Sequence, residues 1–276
     1  MKKIKAMVLT GYGLNCDYET HYCLELAGAE SERVHINQII FRTQEESNVL
    51  DPYHILVFCG GFSWGDDHGA GVLMASKLRH HLGDELIRFL EQGKLVLGIC
   101  NGFQTLVNFG LLPGFHSDYT QRKVALTYND TGNFIDIWVK VRINPDSPCI
   151  FTRGLEEVEL PVRHGEGKFY APEATLEQLI GNGQVVMQYA LSNGEAAQGK
   201  WPENPNGSLY DVAGICDPTG RVFGLMPHPE AFNHYTNHPR WTYYKEGSRS
   251  DGTVSEPLKP QGIKIFQNAV KFVSSI

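Results

Sequence analysis

The chain has 276 residues, a formal net charge of -7, 42% hydrophobic and 20% charged residues. That length suffices for one large α/β domain or two small ones around a sizeable core. The acidic balance argues against nucleic acid or an anionic membrane as partner, and no apolar run approaches the length of a membrane span.

In chain order, the cationic start at residues 1–5 leads into an apolar stretch too short for a signal peptide and interrupted by Gly11 and Gly13. Residues 4–9 are expected as a first strand. Residues 17–27 read as a helix with Tyr18, Tyr22 and Leu26 on one face, closed by Gly28. Short strands follow at 33–36 and 54–59. The segment 72–92 carries one or two helices broken near Gly83, then come a buried strand at 94–99 and a helix at 101–109. Short apolar strands alternating with helices predict a doubly wound, mostly parallel sheet covered on both faces.

The second half has another texture. Residues 123–128 and 134–143 are β-type runs joined by "NDTGN", expected as a small antiparallel hairpin-like insertion. A short helix at 175–180 precedes strands at 185–191, 212–216 and 221–226, the last two linked by "DPTG". Residues 192–207 and about 235–261 read as loops, with an irregular insertion at about 231–261. An amphipathic helix at 262–273, turning Ile265, Phe266, Val270 and Phe272 or Val273 inward, closes what reads as a single domain over 1–276.

Six cysteines, at 16, 23, 59, 100, 149 and 216, form no CxxC pair and no dense framework. That usage fits a reducing cytoplasm, where a cysteine is either core filler or chemistry. One stands out. Gly98-Ile99-Cys100-Asn101-Gly102 follows the G-x-nucleophile-x-G pattern of a nucleophile elbow, placed where a buried strand gives way to a helix. Flanking glycines remove β-carbons that would strike neighbouring backbone. The helix N-terminus favours thiolate over thiol, and the Asn101 amide is placed to bind an oxyanion. The plainer reading, a core cysteine between packing glycines, does not explain that placement.

A cysteine nucleophile needs a base and a group to orient it. In "GLMPHPE", His228 ends a buried strand between two prolines, which favour extended backbone. Residues i and i+2 then face the same way, so Glu230 can hold the imidazole of His228. His228, His234 and His238 also lie close in sequence, but their spacing matches no zinc motif and no metal is expected. After the strand at 54–59 comes "GGFSWGDDHGAG", whose Gly60 and Gly61 allow close backbone approach and can supply a second oxyanion donor. No phosphate-binding pattern fits that loop.

These residues together resemble the triad-type (class I) glutamine amidotransferases. More narrowly, "GGFSWGD", "GICNGFQ", "GLLPG", "HGEGKF", "NGS" and "GLMPHPE", in this order across nearly the whole chain, are similar to the glutaminase subunits of phosphoribosylformylglycinamidine synthases of purine biosynthesis. The resemblance implies a flavodoxin-like sheet and a Cys100, His228, Glu230 triad. It implies an oxyanion hole from the amides of Gly61, Phe62 and Asn101, and Gln104 as a contact of substrate glutamine. It further implies hydrolysis of glutamine to glutamate and ammonia without a cofactor on this chain. The partner would be a formylglycinamide ribonucleotide synthetase subunit carrying ATP and Mg, with a small accessory subunit allowed for. Trp64, Asp136 and Ala231 depart from the family's usual residues. They keep open an amidotransferase subunit for another acceptor, or a free-standing cysteine hydrolase of the same fold.

Overall fold

The computed structural model describes residues 3–250 and 259–276. The first half runs β1 (Lys5–Thr10), α1 (Asp17–Leu26), β2 (Glu30–His35), α2 (Ile36–Glu45), β3 (Ile55–Phe58), α3 (Val72–Glu91), β4 (Leu95–Ile99) and α4 (Asn101–Phe109). The second runs β5 (Ala125–Tyr128), β6 (Ile135–Ile143), β7 (Glu157–His164), β8 (Glu166–Tyr170), α5 (Glu173–Gly181), β9 (Val185–Ala190), β10 (Val212–Cys216), β11 (Val222–Leu225), α6 (Trp241–Ser250) and α7 (Ile263–Ser274).

The main sheet has the order β2-β1-β3-β4-β11-β10-β9-β6-β7. From β2 to β11 every neighbouring pair is parallel, in the 2-1-3-4-5 order of flavodoxin-like folds. From β11 onward each pair is antiparallel. Strands β3, β4 and β11 are buried along their whole length, as strands covered on both faces must be. The functional loops follow β1, β3, β4 and β11, at the carboxyl edge of the parallel half.

The structure completes some expectations and corrects others. Tyr18, Tyr22 and Leu26 face solvent; α1 packs inward through Thr20, Cys23 and Leu24, and the Arg33 guanidinium covers the Tyr18 ring at 3.4 Å. Helix α2 was not anticipated, although Ile36, Ile39 and Ile40 are buried with helical spacing and His35 and Gln38 form a capping box. Helix α3 passes Gly83 unbroken, because its buried positions keep one face throughout.

The "NDTGN" link does not close a hairpin. Strand β5 pairs with β8 in a separate two-stranded antiparallel sheet, while β6 joins the main sheet between β7 and β9. Strands β7 and β8 were unanticipated: Pro161 interrupts the run, and it is tolerated because β7 is the edge strand. Of the loop expected at 235–261, residues 241–250 are helical and 251–258 lie outside the described residues. Among the described residues no helix is long and apolar enough to cross a membrane.

Candidate active site

Cys100 stands between β4 and α4 with φ 50° and ψ -106°, a conformation strained for any residue with a β-carbon. It is 4% exposed. Its amide donates to the Leu225 carbonyl at 2.8 Å, and its carbonyl accepts from the Gln104 amide at 3.0 Å. The turn is therefore tied to β11 on one side and to its own helix on the other. The flanking glycines serve the packing anticipated for them. A β-carbon on Gly102 would overlap the Phe58 carbonyl, and one on Gly98 would come 2.6 Å from Leu106 Cδ1. The Cys100 thiol points toward the Arg163 carbonyl oxygen, 3.7 Å away at the end of β7.

His228 follows β11 in extended backbone (φ -100°, ψ 93°). Its amide donates to the Pro161 carbonyl at 2.8 Å. Its Nδ1 lies 2.6 Å from Glu230 Oε1, with both side chains buried. With Nδ1 donating to the carboxylate, Nε2 carries the lone pair and has no hydrogen-bond partner among the described residues. Burial alone favours the neutral ring. The Glu230 carboxylate and the nearby Cys100 sulfur favour the charged ring and outweigh it, so the His228 pKa is raised well above the ordinary imidazole value. A base held this way accepts the thiol proton and is stabilised once protonated.

The expected oxyanion donors divide. Residues 60–62 pair with the loop after β1, through a bridge between Leu14 and Gly61. In that bridge the Phe62 amide donates to the Gly13 carbonyl at 2.9 Å. Phe62 is thus a correction: its amide is engaged, and its ring instead lies 6.0 Å from that of Phe134. The Gly61 and Asn101 amides make no backbone hydrogen bond among the described residues. Gly61 needs its positive φ of 141°, since a β-carbon would come 2.6 Å from Leu14 Cα.

Gln104 is buried in a polar network. Its Nε2 donates to the Glu166 carbonyl at 2.7 Å, and its Oε1 is 3.4 Å from Asn101 Nδ2. Asn101 Nδ2 also donates to Asp66 Oδ1 at 2.9 Å, and the Ala70 amide donates to Glu166 Oε2 at 3.2 Å. Burial and the Glu166 carboxylate push Asp66 up to about 6 against the pull of Asn101. This network joins "GGFSWGD", the elbow and "HGEGKF", three motifs whose mutual contact the sequence did not reveal.

Two further neighbours escaped sequence reasoning. His164 is buried, and Asn129, which donates through Nδ2 to the Asn133 and His164 carbonyls, turns Oδ1 to His164 Nδ1 at 3.0 Å. Burial and, secondarily, His228 push His164 down to about 3, so it stays neutral. Cys16, from the loop after β1, places Sγ 3.9 Å from His228 Nδ1. The three histidines close in sequence do not converge: His234 bonds Thr236 and His238 faces Glu159.

A parallel sheet with a cysteine on a strained strand-to-helix turn, facing a carboxylate-held histidine, defines the class of cysteine-dependent hydrolases and amidotransferases. The chain belongs to the CobB/CobQ-like glutamine amidotransferase domain family, whose model matches residues 3–273. It is 42% identical over 268 residues to the phosphoribosylformylglycinamidine synthase subunit PurQ of Methanococcus maripaludis, covering 97% of each chain. It is 42% identical over 276 residues to the PurQ subunit of Dehalococcoides mccartyi, covering 100% of both. Among solved structures it is similar to a chain of PurLQS from Thermotoga maritima, with TM-score 0.70, 29% identity and 99% of this chain and 100% of that chain covered. A glutamine amidotransferase from Thermotoga maritima shares the fold at TM-score 0.55 and 14% identity, covering 100% of both chains.

Proposed function

We propose that this chain is the glutaminase subunit of a phosphoribosylformylglycinamidine synthase, hydrolysing glutamine and passing ammonia to a synthetase subunit in purine biosynthesis. The observation that carries it is the buried contact of His228 Nδ1 with Glu230 Oε1 at 2.6 Å beside Cys100, within a chain matching PurQ subunits along its length.

His228 Nε2 takes the Cys100 proton, and the thiolate attacks the side-chain amide carbon of glutamine. The Gly61 and Asn101 amides hold the oxyanion, each worth roughly 2.7–4 kcal/mol in comparable sites. The imidazolium returns its proton to the departing ammonia, leaving a γ-glutamyl thioester. Water, deprotonated by the same nitrogen, releases glutamate and restores the thiol. Gln104 contacts the bound glutamine. Every step uses groups of this chain, so the glutaminase needs no cofactor, and ATP and Mg act on the partner. The site of action is the cytoplasm.

Free ammonia in neutral water becomes ammonium, which is not nucleophilic, so the mouth of the elbow docks against the synthetase. Glutamate release is to be measured with and without the formylglycinamide ribonucleotide synthetase subunit, its acceptor and ATP. Stimulation by all three, with formylglycinamidine ribonucleotide as product, supports the reading. Full activity alone, with no complex on size exclusion, makes a free-standing hydrolase the better one.

A further inference from the structure

The triad leaves one of its own atoms unused. Glu230 Oε1 serves His228, while Oε2 is buried without a hydrogen-bond partner among the described residues. Beside it, Cys16 Sγ approaches the same His228 nitrogen from the opposite loop. Sulfur, imidazole nitrogen and carboxylate oxygen all lie within 4.8 Å of one another, the one such three-residue group among the described residues. Gly60 keeps the space between them open: a β-carbon there would come 2.8 Å from His228 Cε1 and 3.2 Å from Cys16 Sγ. Of the six free cysteines Cys16 is the only one that is not fully buried.

We propose that Cys16, His228 and Glu230 form an inhibitory binding site for a thiophilic divalent cation such as zinc or cadmium. A thiolate, an imidazole and a carboxylate make a usual zinc donor set, with a water as fourth ligand. Zinc bonds of about 2.3 Å to sulfur and about 2.0 Å to nitrogen and oxygen put tetrahedral donors roughly 3.3–3.5 Å apart. The observed 3.9 Å from sulfur to Nδ1 and 2.6 Å from Nδ1 to Oε1 bracket that spacing.

Inhibition follows from proton placement. The cation takes the place of the Cys16 Sγ proton, which leaves to solvent, and as it binds Nδ1 the single proton of the neutral His228 ring moves from Nδ1 to Nε2. The ring, now metallated at Nδ1 and protonated at Nε2, no longer accepts a proton from Cys100. The carboxylate that would stabilise the imidazolium is occupied as well. The inhibitory effect rests on the reading of His228 as the base; the binding does not.

The test has two arms. In glutamine hydrolysis by the complex with its synthetase, zinc is titrated against the unsubstituted chain, Cys16→Ala and Cys16→Ser. The half-inhibitory concentration, compared as a ratio within each protein, should rise at least tenfold on either substitution. A change below twofold overturns the proposal and places the metal on Cys100 instead. In the second arm, cadmium is added to the full-length Cys100→Ala chain. A thiolate-to-metal ultraviolet band should saturate at one cadmium per chain and vanish when Cys16→Ala is added. No band, or a band indifferent to Cys16, overturns the site even where glutaminase activity stands. A Cys16-dependent band, where the unsubstituted chain with its synthetase never hydrolyses glutamine, keeps the site and breaks the functional reading.

Discussion

The two halves of the main sheet contribute differently to the site. The parallel half, β2 to β11, presents Cys16, Gly61, Cys100 and His228 on turns just beyond its strands. The antiparallel wing, together with β8 of the small second sheet, presents mainly backbone. The Pro161 carbonyl fixes the His228 amide, the Arg163 carbonyl faces the Cys100 thiol, and the Glu166 carbonyl holds Gln104. Reactive side chains thus come from the rigid, doubly covered strands. The groups that aim them come from the edge strand β7 and from β8, the next strand in sequence, which belongs to the separate two-stranded sheet. Loss on the parallel side should therefore stop chemistry, and loss on the wing side should misplace it.

The largest effects fall on the parallel half. Cys100→Ala should reduce glutamate release to background, while Cys149→Ala, and Cys23→Ala, whose Sγ donates only to the Glu230 backbone carbonyl at 3.7 Å, keep most of it. Substantial turnover by Cys100→Ala would end the assignment. Next come the two members after β11. His228→Ala should lose more activity than Glu230→Gln, because the glutamine side chain still orients the ring although it no longer stabilises its charge. Glu230→Gln should still form a covalent adduct with a glutamine analogue. The reverse order of losses would give the carboxylate a different task.

Stability sharpens the same contrast. Gly102→Ala forces a β-carbon into the Phe58 carbonyl and should cost about 1–3 kcal/mol, read from the urea midpoint. Gly83→Ala, in the α3 interior with nothing within 4 Å of the added carbon, should gain up to about 1 kcal/mol.

The smallest expected effect is at the junction of the halves. Asp66 is raised from 3.8 to about 6 by burial and Glu166, so the folded chain holds that proton more tightly than the unfolded one. Its contribution therefore favours folding at pH near 4 and is lost as pH rises to about 6. Asp66→Asn should flatten that stretch of the stability curve and raise stability at pH 7. Because Asp66 is only half-buried, the gain is on the order of 1 kcal/mol. An unchanged curve between pH 4 and 6 would mean that Asp66 does not titrate there.

What was legible in the sequence follows the same division. The elbow and the His-Pro-Glu turn impose local backbone geometry, so glycine and proline spacing exposes them. Strands β7 and β8 were hidden because Pro161, Gly165 and Gly167 dilute the alternation that marks a strand. The orientation of the Tyr18, Tyr22 and Leu26 face was not legible for another reason. Helical spacing identifies a face but not which way it turns, and the smaller Thr20 and Cys23 fit beneath α1. Phe62 was misassigned because its amide is claimed by a loop some fifty residues earlier (Gly13). The approach of Cys16 to His228 spans 212 residues and has no local signature.

The most direct test of Cys100 as nucleophile is covalent labelling. The chain, in complex with its synthetase, is incubated with the glutamine-mimicking alkylator diazo-oxo-norleucine, and the adduct is located by peptide mass spectrometry. A single adduct on Cys100, formed in step with loss of glutaminase activity and competed by glutamine, is the predicted result. Loss of activity with the adduct on Cys16 or any other residue, and Cys100 unmodified, would contradict it.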